Sequence, residues 1–175
     1  MDFKKVIEKR DSIRKFKNKK VSDKKIESIL KLVSKAPSAG NLQAYEIVAV
    51  KNKNIKEMLS IACYSQECVK NAPVVLVFLA DAEKSAKVYG TRGKELYFIQ
   101  DADIACTYAM LSAVNFGLSS VWIGAFDEER VKKILNAGNL KPIAILPIGF
   151  AGEIPKPTGR RNLEEFVHKE IIREN

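Results

Sequence analysis

The stretch from Gly93 to Gly124, GKELYFIQDADIACTYAMLSAVNFGLSSVWIG, decides how this chain folds. Between Gly93 and Phe116 apolar and small side chains recur at the spacing of a helix, which predicts the longest helix of the protein. Its apolar stripe consists of Leu96, Ile99, Ala102, Ala105, Ala109 and Ala113. Because many of these side chains are small, we expect a central helix on which other elements pack closely. Gly117 is placed to end this helix, and Val121–Ile123 is predicted to form a strand after it.

Shorter elements are predicted on both sides of the central helix. Five further helices are expected: one from Phe3 into the segment Arg10–Arg14, one between Ser22 as N-cap and Pro37 as stop, one over Ile55–Ala62 with Asn54 as N-cap, one through Leu135 with Asp127 as N-cap, and one at Leu163–Ile172. Strands are expected at Ile47–Val50, Val74–Ala80 and Ile143–Ile148. The run Val74–Ala80 is apolar throughout, which is typical of a strand buried on both faces. Pro147 lies within the last strand and predicts an edge strand or a bulge there.

Length and composition indicate one folded domain. The chain has 175 residues, of which 46% are hydrophobic and 29% are charged, as in ordinary globular proteins. We expect residues 1–175 to form a single domain. The apolar run Val74–Ala80 is far shorter than the roughly 18 residues of a membrane span, and the first residues contain no apolar signal region. We therefore expect a cytoplasmic protein without a membrane span.

The chemically active residues exclude several classes of site. Cys63, Cys68 and Cys106 are too few for a disulfide scaffold and form no CxxC pair, so we expect reduced, buried thiols. His168 is the only histidine, which excludes histidine-cluster metal sites and argues against hydrolysis by a Ser-His-Asp or Cys-His mechanism. None of the nine glycines forms a GxG pair, so neither a dinucleotide fingerprint nor a P-loop is present.

The positive charge is concentrated at one end of the chain. The net charge is +9, and residues 1–25 contain eleven basic and four acidic side chains, a net charge of +7. Such an end could bind nucleic acid, an anionic surface or a phosphorylated ligand, or it could be a solvated lysine-rich face. Aromatic residues are not interleaved with these charges, which argues against nucleic acid as a partner.

Two motifs in the first half of the chain could contact a ligand. In Arg10-Asp11-Ser12-Ile13-Arg14, two guanidinium groups flank a hydroxyl group, a combination that suits a phosphate or another anion. Taken alone, this spacing favours a solvated surface over an anion site, because charged runs are usually solvated. Pro37–Tyr45 combines a proline stop, small residues and two amides, which would let the backbone approach a flat ligand. The alternative is an ordinary helix-to-strand connection.

Two further motifs lie in the second half. Gly117–Gly124 ends in a glycine whose backbone amide could be exposed to a ligand at a strand end, while Trp122 within it is expected in the core. Arg160 and Arg161 lie in an irregular segment and could form either a surface pair or part of an anion site.

In this order along the chain, the four motifs resemble the FMN-dependent nitroreductase family. The resemblance extends from Arg10 to the last predicted helix and includes Asp101–Ala113 as the long central helix, followed by the segment Gly117–Gly124. Two departures stand out. Gln43-Ala44-Tyr45 replaces the Gln-Pro-Trp that many members of the family carry, and the segment between Val74–Ala80 and the central helix is short, so the helical lid of larger relatives is reduced.

The resemblance implies an α+β fold, a three-layer sandwich in which helices flank a mostly antiparallel sheet. It also implies a homodimer with FMN at the subunit interface and residues of both chains in each site. The implied cofactor-binding residues are Arg10, Ser12, Arg14, Pro37, Ser38, Asn41, Ile123, Gly124, Arg160 and Arg161. No metal and no catalytic acid or base is implied, because the flavin carries the chemistry.

Each group of these residues has an implied role. Arg10, Ser12 and Arg161 would hold the phosphate and ribityl groups, and Ser38 and Asn41 would flank the ring from the partner chain. The backbone at Ile123–Gly124 would face the N5/O4 edge of the ring. Arg14 would lie at the N1/O2 edge, where a guanidinium group stabilises the negative charge of reduced flavin.

The implied activity is ping-pong transfer of hydride from NADH or NADPH through FMN to a nitroaromatic, quinone or similar small-molecule acceptor. One alternative is a specialised relative with the same fold, such as a dehalogenase, a flavin-cleaving enzyme or a thiazoline-oxidising enzyme. The other, from a different class, is a non-catalytic basic protein that binds nucleic acid or another anion. The sequence does not distinguish NADH from NADPH or from a deazaflavin donor.

Overall fold

A four-stranded antiparallel sheet forms the centre of the computed structural model, which describes residues 1–156 and 158–172. Pro157 and residues 173–175 of the expected domain lie outside the described residues. The strands are β1 (Tyr45–Val50), β2 (Val74–Ala80), β3 (Ser119–Ser120) and β4 (Lys141–Gly149), in the spatial order β1-β2-β4-β3. The helices are α1 (Phe3–Lys9), α2 (Asp23–Val33), α3 (Lys53–Ala62), α4 (Glu67–Asn71), α5 (Ala82–Arg92), α6 (Phe98–Asn115) and α7 (Glu128–Leu135). Among the described helices, none combines the length and apolar character needed to cross a membrane.

Strand β2 is buried on both faces, as the sequence predicts. All seven of its side chains are buried, and it pairs with β1 on one side and β4 on the other. Leu76 and Phe78 pack toward one face, in a cluster with residues of α2 and α6, whereas Val75 and Val77 pack toward the other face with residues of α3 and α7. Helices therefore cover both faces of the sheet, which confirms the predicted α+β three-layer fold.

Helix α6 is the predicted central helix. Ala105, Ala109 and Ala113 are fully buried in the cluster that packs on the sheet, so their small side chains allow the close approach that the sequence indicates. The helix begins at Phe98 and not at Gly93, because residues Gly93–Tyr97 form a π-helical turn that connects it to α5. The three cysteines are free and buried, as expected.

The helix caps follow the sequence closely. Ser22 accepts a hydrogen bond from the backbone N–H of Lys25 at the start of α2, and Asp127 accepts one from Arg130 at the start of α7. Helix α3 departs from the prediction, because its N-cap is Asn52 and not Asn54. The side chain of Asn52 accepts from two backbone N–H groups, whereas Asn54 lies inside the first turn.

Two predictions about the strands after α6 are wrong: the position of the first strand, and the edge or bulge expected in the second. The strand predicted at Val121–Ile123 lies at Ser119–Ser120, and of the predicted residues Ile123 makes an isolated bridge to Ile145. Strand β4 is neither an edge strand nor bulged at Pro147, since it lies between β2 and β3 and its register shift lies near Ala144.

The gap in the ladder explains how β4 accommodates Pro147. The N–H of Ile145 donates to Ile123 on the β3 side, so the nitrogen two residues later faces the same side. The ladder on that side is interrupted between Ser120 and Ile123, where no strand partner needs a hydrogen bond from Pro147.

The helix predicted at Leu163–Ile172 is also absent. The described residues there form a short 3₁₀ turn, Leu163–Glu165, followed by irregular chain. Leu163, Ile171 and Ile172 are exposed, so these apolar side chains gain little from packing within the described part of the chain. Without such packing, a short amphipathic segment gains too little to remain helical.

Candidate functional site

A cleft of about 870 Å³ opens between the segment after α1, the start of α4 and the segment after β4. Its lining residues are Arg10, Asp11, Ser12, Arg14, Lys15, Gln66, Glu67, Cys68, Glu153, Ile154, Pro155, Lys156, Thr158 and Arg160. Cationic side chains outnumber carboxylates among them. Part of the basic excess in residues 1–25 therefore lines a cavity and is not spread over a solvated face.

The Arg10–Arg14 motif reaches this cleft because its backbone is extended. The N–H of Ile13 donates to the carbonyl of Ser120 at 3.0 Å, and Ser12 forms a parallel bridge to the same residue. The side chain of Ile13 is buried, while Ser12 and Arg14 are exposed. Since side chains alternate along an extended chain, this pairing directs Ser12 and Arg14 to one side.

The segment after β4 lies directly beside the Arg10–Arg14 motif and continues the wall of the cleft. The N–H of Gly152 donates to the carbonyl of Lys15 at 2.8 Å, and the N–H of Lys17 donates to the carbonyl of Phe150 at 2.9 Å. One carboxylate oxygen of Glu153 accepts from the backbone N–H groups of Arg14 at 2.6 Å and Lys15 at 3.0 Å. These bonds hold the pKa of Glu153 below its usual value. Sequence reasoning did not identify Glu153.

The two arginines of the Arg160–Arg161 pair lie in different places. Arg160 lines the cleft, and its guanidinium donates to the hydroxyl of Thr158 at 3.1 Å. Arg161 is not among the lining residues, and its guanidinium lies over the ring of Phe166 at 5.1 Å. Within one chain, the structure therefore brings Arg160 and not Arg161 to Arg10 and Ser12.

Cys68 lines the inner part of the cleft. Burial raises the pKa of its thiol. The positive charge of Arg14 opposes this shift, and the negative charge of Glu153 adds to it. Next to it, Gln66 links the cleft to the Gly124 segment, since its side-chain amide donates to the carbonyl of Ala125 at 3.5 Å.

The Ile123–Gly124 pair offers one amide and not two. The N–H of Ile123 donates to Ile145 at 2.9 Å and the carbonyl of Ile123 accepts from the same residue at 3.0 Å, so this residue is committed to the sheet. Gly124 is exposed, and within the described part of the chain its N–H donates no hydrogen bond. Gly124 is therefore the residue of the pair whose amide could reach a ligand.

The loop at residues 37–45 is held by a buried carboxylate of α6. Asp101 accepts from the N–H of Ala39 at 2.9 Å and from the N–H of Ala44 at 3.4 Å. Ser38 accepts from the N–H of Gln43 at 2.9 Å, which closes the loop from within. Asp101 is only 2% exposed. An acidic residue in the otherwise apolar pattern of a central helix is the sequence signal that could have identified it.

Helix α5 packs against the tip of this loop. Gly40 has φ +54°, and a Cβ atom there would lie 2.4 Å from the hydroxyl oxygen of Tyr89, so both backbone and space require glycine. Asn41 also has positive φ, and its side-chain oxygen accepts from the amide of Gln43 at 2.9 Å. Pro37, Ser38 and Asn41 are not among the described residues that line the cleft. In a single chain, the cleft therefore brings together Arg10, Ser12, Arg14 and Arg160, while the other predicted site residues lie outside its lining.

The comparison with known proteins decides the family. The model of the "Nitroreductase family" matches residues 7–66 and 60–150. The chain belongs to the nitroreductase family. The matched region of the chain includes the Arg10–Arg14 motif, the loop at residues 37–45 and Gly124, whereas Arg160 and Arg161 lie beyond it.

Several known proteins are similar to this chain over most of the chain's length. It is 30% identical to a protein named NADH dehydrogenase from Thermus thermophilus, in an alignment 195 residues long, gaps included, that covers 95% of each chain. It is 28% identical to FMN reductase [NAD(P)H] from Bacillus subtilis over 173 residues, 91% of this chain and 70% of that protein. The structure of an FMN-dependent nitroreductase from Clostridium difficile matches with a TM-score of 0.82 and 29% identity, over 95% of this chain and 98% of that one.

The hydrogen-bond donors that line the cleft fit a phosphorylated ligand. Guanidinium groups of Arg10, Arg14 and Arg160 and the hydroxyl group of Ser12 are the donors expected around a phosphate. By contrast, no group of three or more His, Cys, Asp and Glu side chains suited to a metal ion occurs in residues 1–156 and 158–172.

Proposed function

We propose that this protein is an NAD(P)H-dependent flavin oxidoreductase that reduces a nitroaromatic, quinone or similar acceptor. It would hold FMN in the cleft that Arg10 and Arg160 line. The observation that carries the proposal is the convergence of Arg10, Ser12, Arg14 and Arg160 on one cleft. The family and the FMN-dependent activities named in its relatives support the choice of cofactor.

The cleft residues would bind the phosphorylated end of the cofactor. Arg10, Ser12 and Arg160 would hold the phosphate and ribityl groups, since guanidinium and hydroxyl groups donate strong hydrogen bonds to phosphate oxygens. The position of Arg160 favours it over Arg161 for this role within one chain. Arg14 would lie at the N1/O2 edge of the ring and stabilise the reduced form.

The remaining ring contacts would come from Gly124 and from a second subunit. Gly124 has an exposed backbone amide that could donate to the N5/O4 edge. The partner subunit's Ser38 and the partner subunit's Asn41 would flank the ring. Support for a shared site is that residues 37–41 of a chain do not line that chain's own cleft. We therefore propose a homodimer of single-domain subunits, each comprising residues 1–175.

We propose a ping-pong order for the reaction. When bound, FMN supplies hydride and electron transfer between donor and acceptor. Oxidised nicotinamide leaves before the acceptor enters the same space, so the protein does not have to hold both at once. Its residues orient the ring and stabilise charge, and none needs to form a covalent bond to substrate.

The test is the visible spectrum of the purified protein after reconstitution with FMN or FAD. We expect stoichiometric FMN and no tightly bound FAD, because the arginines close around a terminal phosphate. The loaded protein should be bleached by NADH or NADPH under anaerobic conditions and recoloured by a quinone or nitroaromatic compound. A protein that takes up no FMN, or that is not bleached by either nicotinamide, would refute the proposed function.

A further inference from the structure

Glu153 places a carboxylate in a cleft that otherwise favours anions. Its oxygen accepts from two successive backbone N–H groups, those of Arg14 and Lys15, at 2.6 and 3.0 Å. It also lines the cleft alongside Arg10 and Arg160. A negative group at this position opposes the binding of a phosphorylated ligand, so its presence calls for a physical explanation.

The cleft holds two other carboxylates, Asp11 and Glu67, and in the described part of the chain neither accepts a hydrogen bond from the Arg14 backbone as Glu153 does. Glu67 forms an ion pair with Lys70 at 2.8 Å, which turns its charge toward its own helix. In the part of the chain that the structure describes, Glu153 forms no side-chain ion pair and is bonded to backbone. The two backbone bonds, together with the charges of Lys15 and Arg14, lower its pKa, so it is ionised at neutral pH.

These contacts give Glu153 two effects on Arg14. The first is geometric: the carboxylate fixes the backbone from which the Arg14 side chain extends, and so limits where its guanidinium group can lie. The second is electrostatic: a fixed negative charge close to Arg14 offsets part of its positive charge. Both side chains line the cleft together with Cys68.

We propose that Glu153 is a positioning residue that holds Arg14 in place and, by its charge, limits both the affinity for FMN and the midpoint potential of the bound flavin. This inference rests on the proposed function. Reduced flavin carries more negative charge than oxidised flavin, so a nearby carboxylate disfavours the reduced form and lowers the potential. Glu153 thus opposes the effect of Arg14 on the same redox couple.

Two substitutions separate geometry from charge. Glu153→Gln keeps an oxygen that can accept from both N–H groups but removes the charge. We expect it to bind reduced FMN about tenfold more tightly relative to oxidised FMN, which corresponds to a rise of about 30 mV for a two-electron couple. Glu153→Ala removes the acceptor as well, so Arg14 loses its support and oxidised FMN should bind about tenfold more weakly than to Glu153→Gln.

The measurements are flavin dissociation constants by fluorescence titration and midpoint potentials by anaerobic dye equilibration. Glu27→Gln is the matched control: it makes the same change in net charge on the exposed side of α2, where Glu27 pairs with Lys31 at 2.6 Å. It should leave both values unchanged. Binding of inorganic phosphate to the flavin-free proteins gives a second readout, and Glu153→Gln should bind it more tightly than the wild type.

The outcomes distinguish this inference from the proposed function. If the wild type binds FMN but Glu153→Gln matches its potential and affinities, Glu153 is only a structural residue and the inference is overturned. The same follows if Glu27→Gln shifts the potential as much as Glu153→Gln does. If the wild type binds no FMN at all, the proposed function fails, and the inference fails with it.

Discussion

Arg14 combines an exposed guanidinium group with a backbone that the segment after β4 holds by hydrogen bonds. Its N–H donates to Glu153, and its neighbours Ile13 and Lys15 pair with Ser120 and Gly152. Three separate contacts thus fix the backbone from which this flexible side chain extends. A guanidinium group held in this way can stabilise charge without first having to be ordered.

Arg14→Ala should lower the midpoint potential of bound flavin. A charge-assisted hydrogen bond is worth about 1.5–3 kcal/mol, or about 30–65 mV if it acts only on reduced flavin. Reduction by NAD(P)H should slow accordingly, and anaerobic redox titration measures the shift. Arg160→Ala is the comparison, since losing a phosphate contact should weaken FMN binding and leave the potential nearly unchanged. An unaltered potential in Arg14→Ala, with FMN bound normally, would refute the role assigned to Arg14.

The buried thiols should react slowly. Burial raises the pKa of Cys63 from 9.0 to about 12, and burial also raises the pKa of Cys68 and Cys106. Little thiolate exists at pH 8, so labelling by a disulfide reagent should be at least about a hundredfold slower in the folded than in the unfolded protein. Stopped-flow absorbance measures both rates. Rapid labelling of a thiol in the folded protein would contradict the burial described.

The same pKa shift predicts how stability depends on pH. Because the folded-state pKa of Cys63 is raised, its protonated form contributes stability that is fully present below pH 9.0 and is lost as the pH rises toward about 12. The free energy of unfolding should therefore fall more steeply over this range in the wild type than in Cys63→Ala. Urea titrations at several alkaline pH values test this, and equal slopes in the two proteins would count against it.

At the scale of elements, α6 does more than form the core. Its buried Asp101 accepts hydrogen bonds from Ala39 and Ala44, at the two ends of the loop that carries Ser38 and Asn41. Its small residues pack on the sheet at the same time. The helix that sets the layer spacing therefore also fixes the loop proposed to contact the ring in the neighbouring subunit.

Asp101→Asn should loosen this loop. An asparagine can accept with only one of its two terminal atoms, so one backbone N–H is left facing a donor, at a cost of about 1–3 kcal/mol. Urea denaturation measures the loss of stability, and FMN titration should show weaker binding. Asp103→Asn is the matched control: burial raises the pKa of Asp103, which means that its ionised form is disfavoured, and its replacement should be neutral or stabilising. Equal effects of the two substitutions would refute the loop-holding role.

At the scale of the whole molecule, apolar surface is concentrated around α1, α2 and α6. A cavity of about 410 Å³ there is lined mainly by apolar and aromatic residues, among them Phe3, Leu32 and Tyr108. Phe3 is 71% exposed. The apolar side chains after Leu163 are exposed as well, and exposed apolar surface of this kind is typical of an interface with another chain.

We expect the protein to be a dimer whose assembly is coupled to flavin binding. Tyr108→Glu, which introduces a charge on the exposed side of α6, should weaken dimerisation roughly a hundredfold and reduce FMN affinity with it. Ile61→Glu is the control, because Ile61 is exposed on α3, on the other face of the sheet. Sedimentation velocity with and without FMN measures both effects. A monomer that binds FMN tightly would contradict the coupling.

Local patterns in the sequence determined much of this protein. The apolar run of β2, the small residues of α6 and the caps Ser22 and Asp127 each act within one element, so spacing and residue type suffice to predict them. The motif Arg10–Arg14 did not by itself indicate an anion site, whereas the order of the four motifs predicted the nitroreductase family that the comparison confirms.

Tertiary structure decided whatever depends on residues far apart in the chain. Glu153 lies 139 residues from Arg14 and Asp101 lies 62 from Ala39, and no local periodicity encodes either contact. The same reason explains two wrong predictions. Pro147 fits the interior of the sheet because the ladder beside it is interrupted, and the segment after Leu163 remains irregular because its apolar side chains stay exposed and gain no packing that would hold a helix.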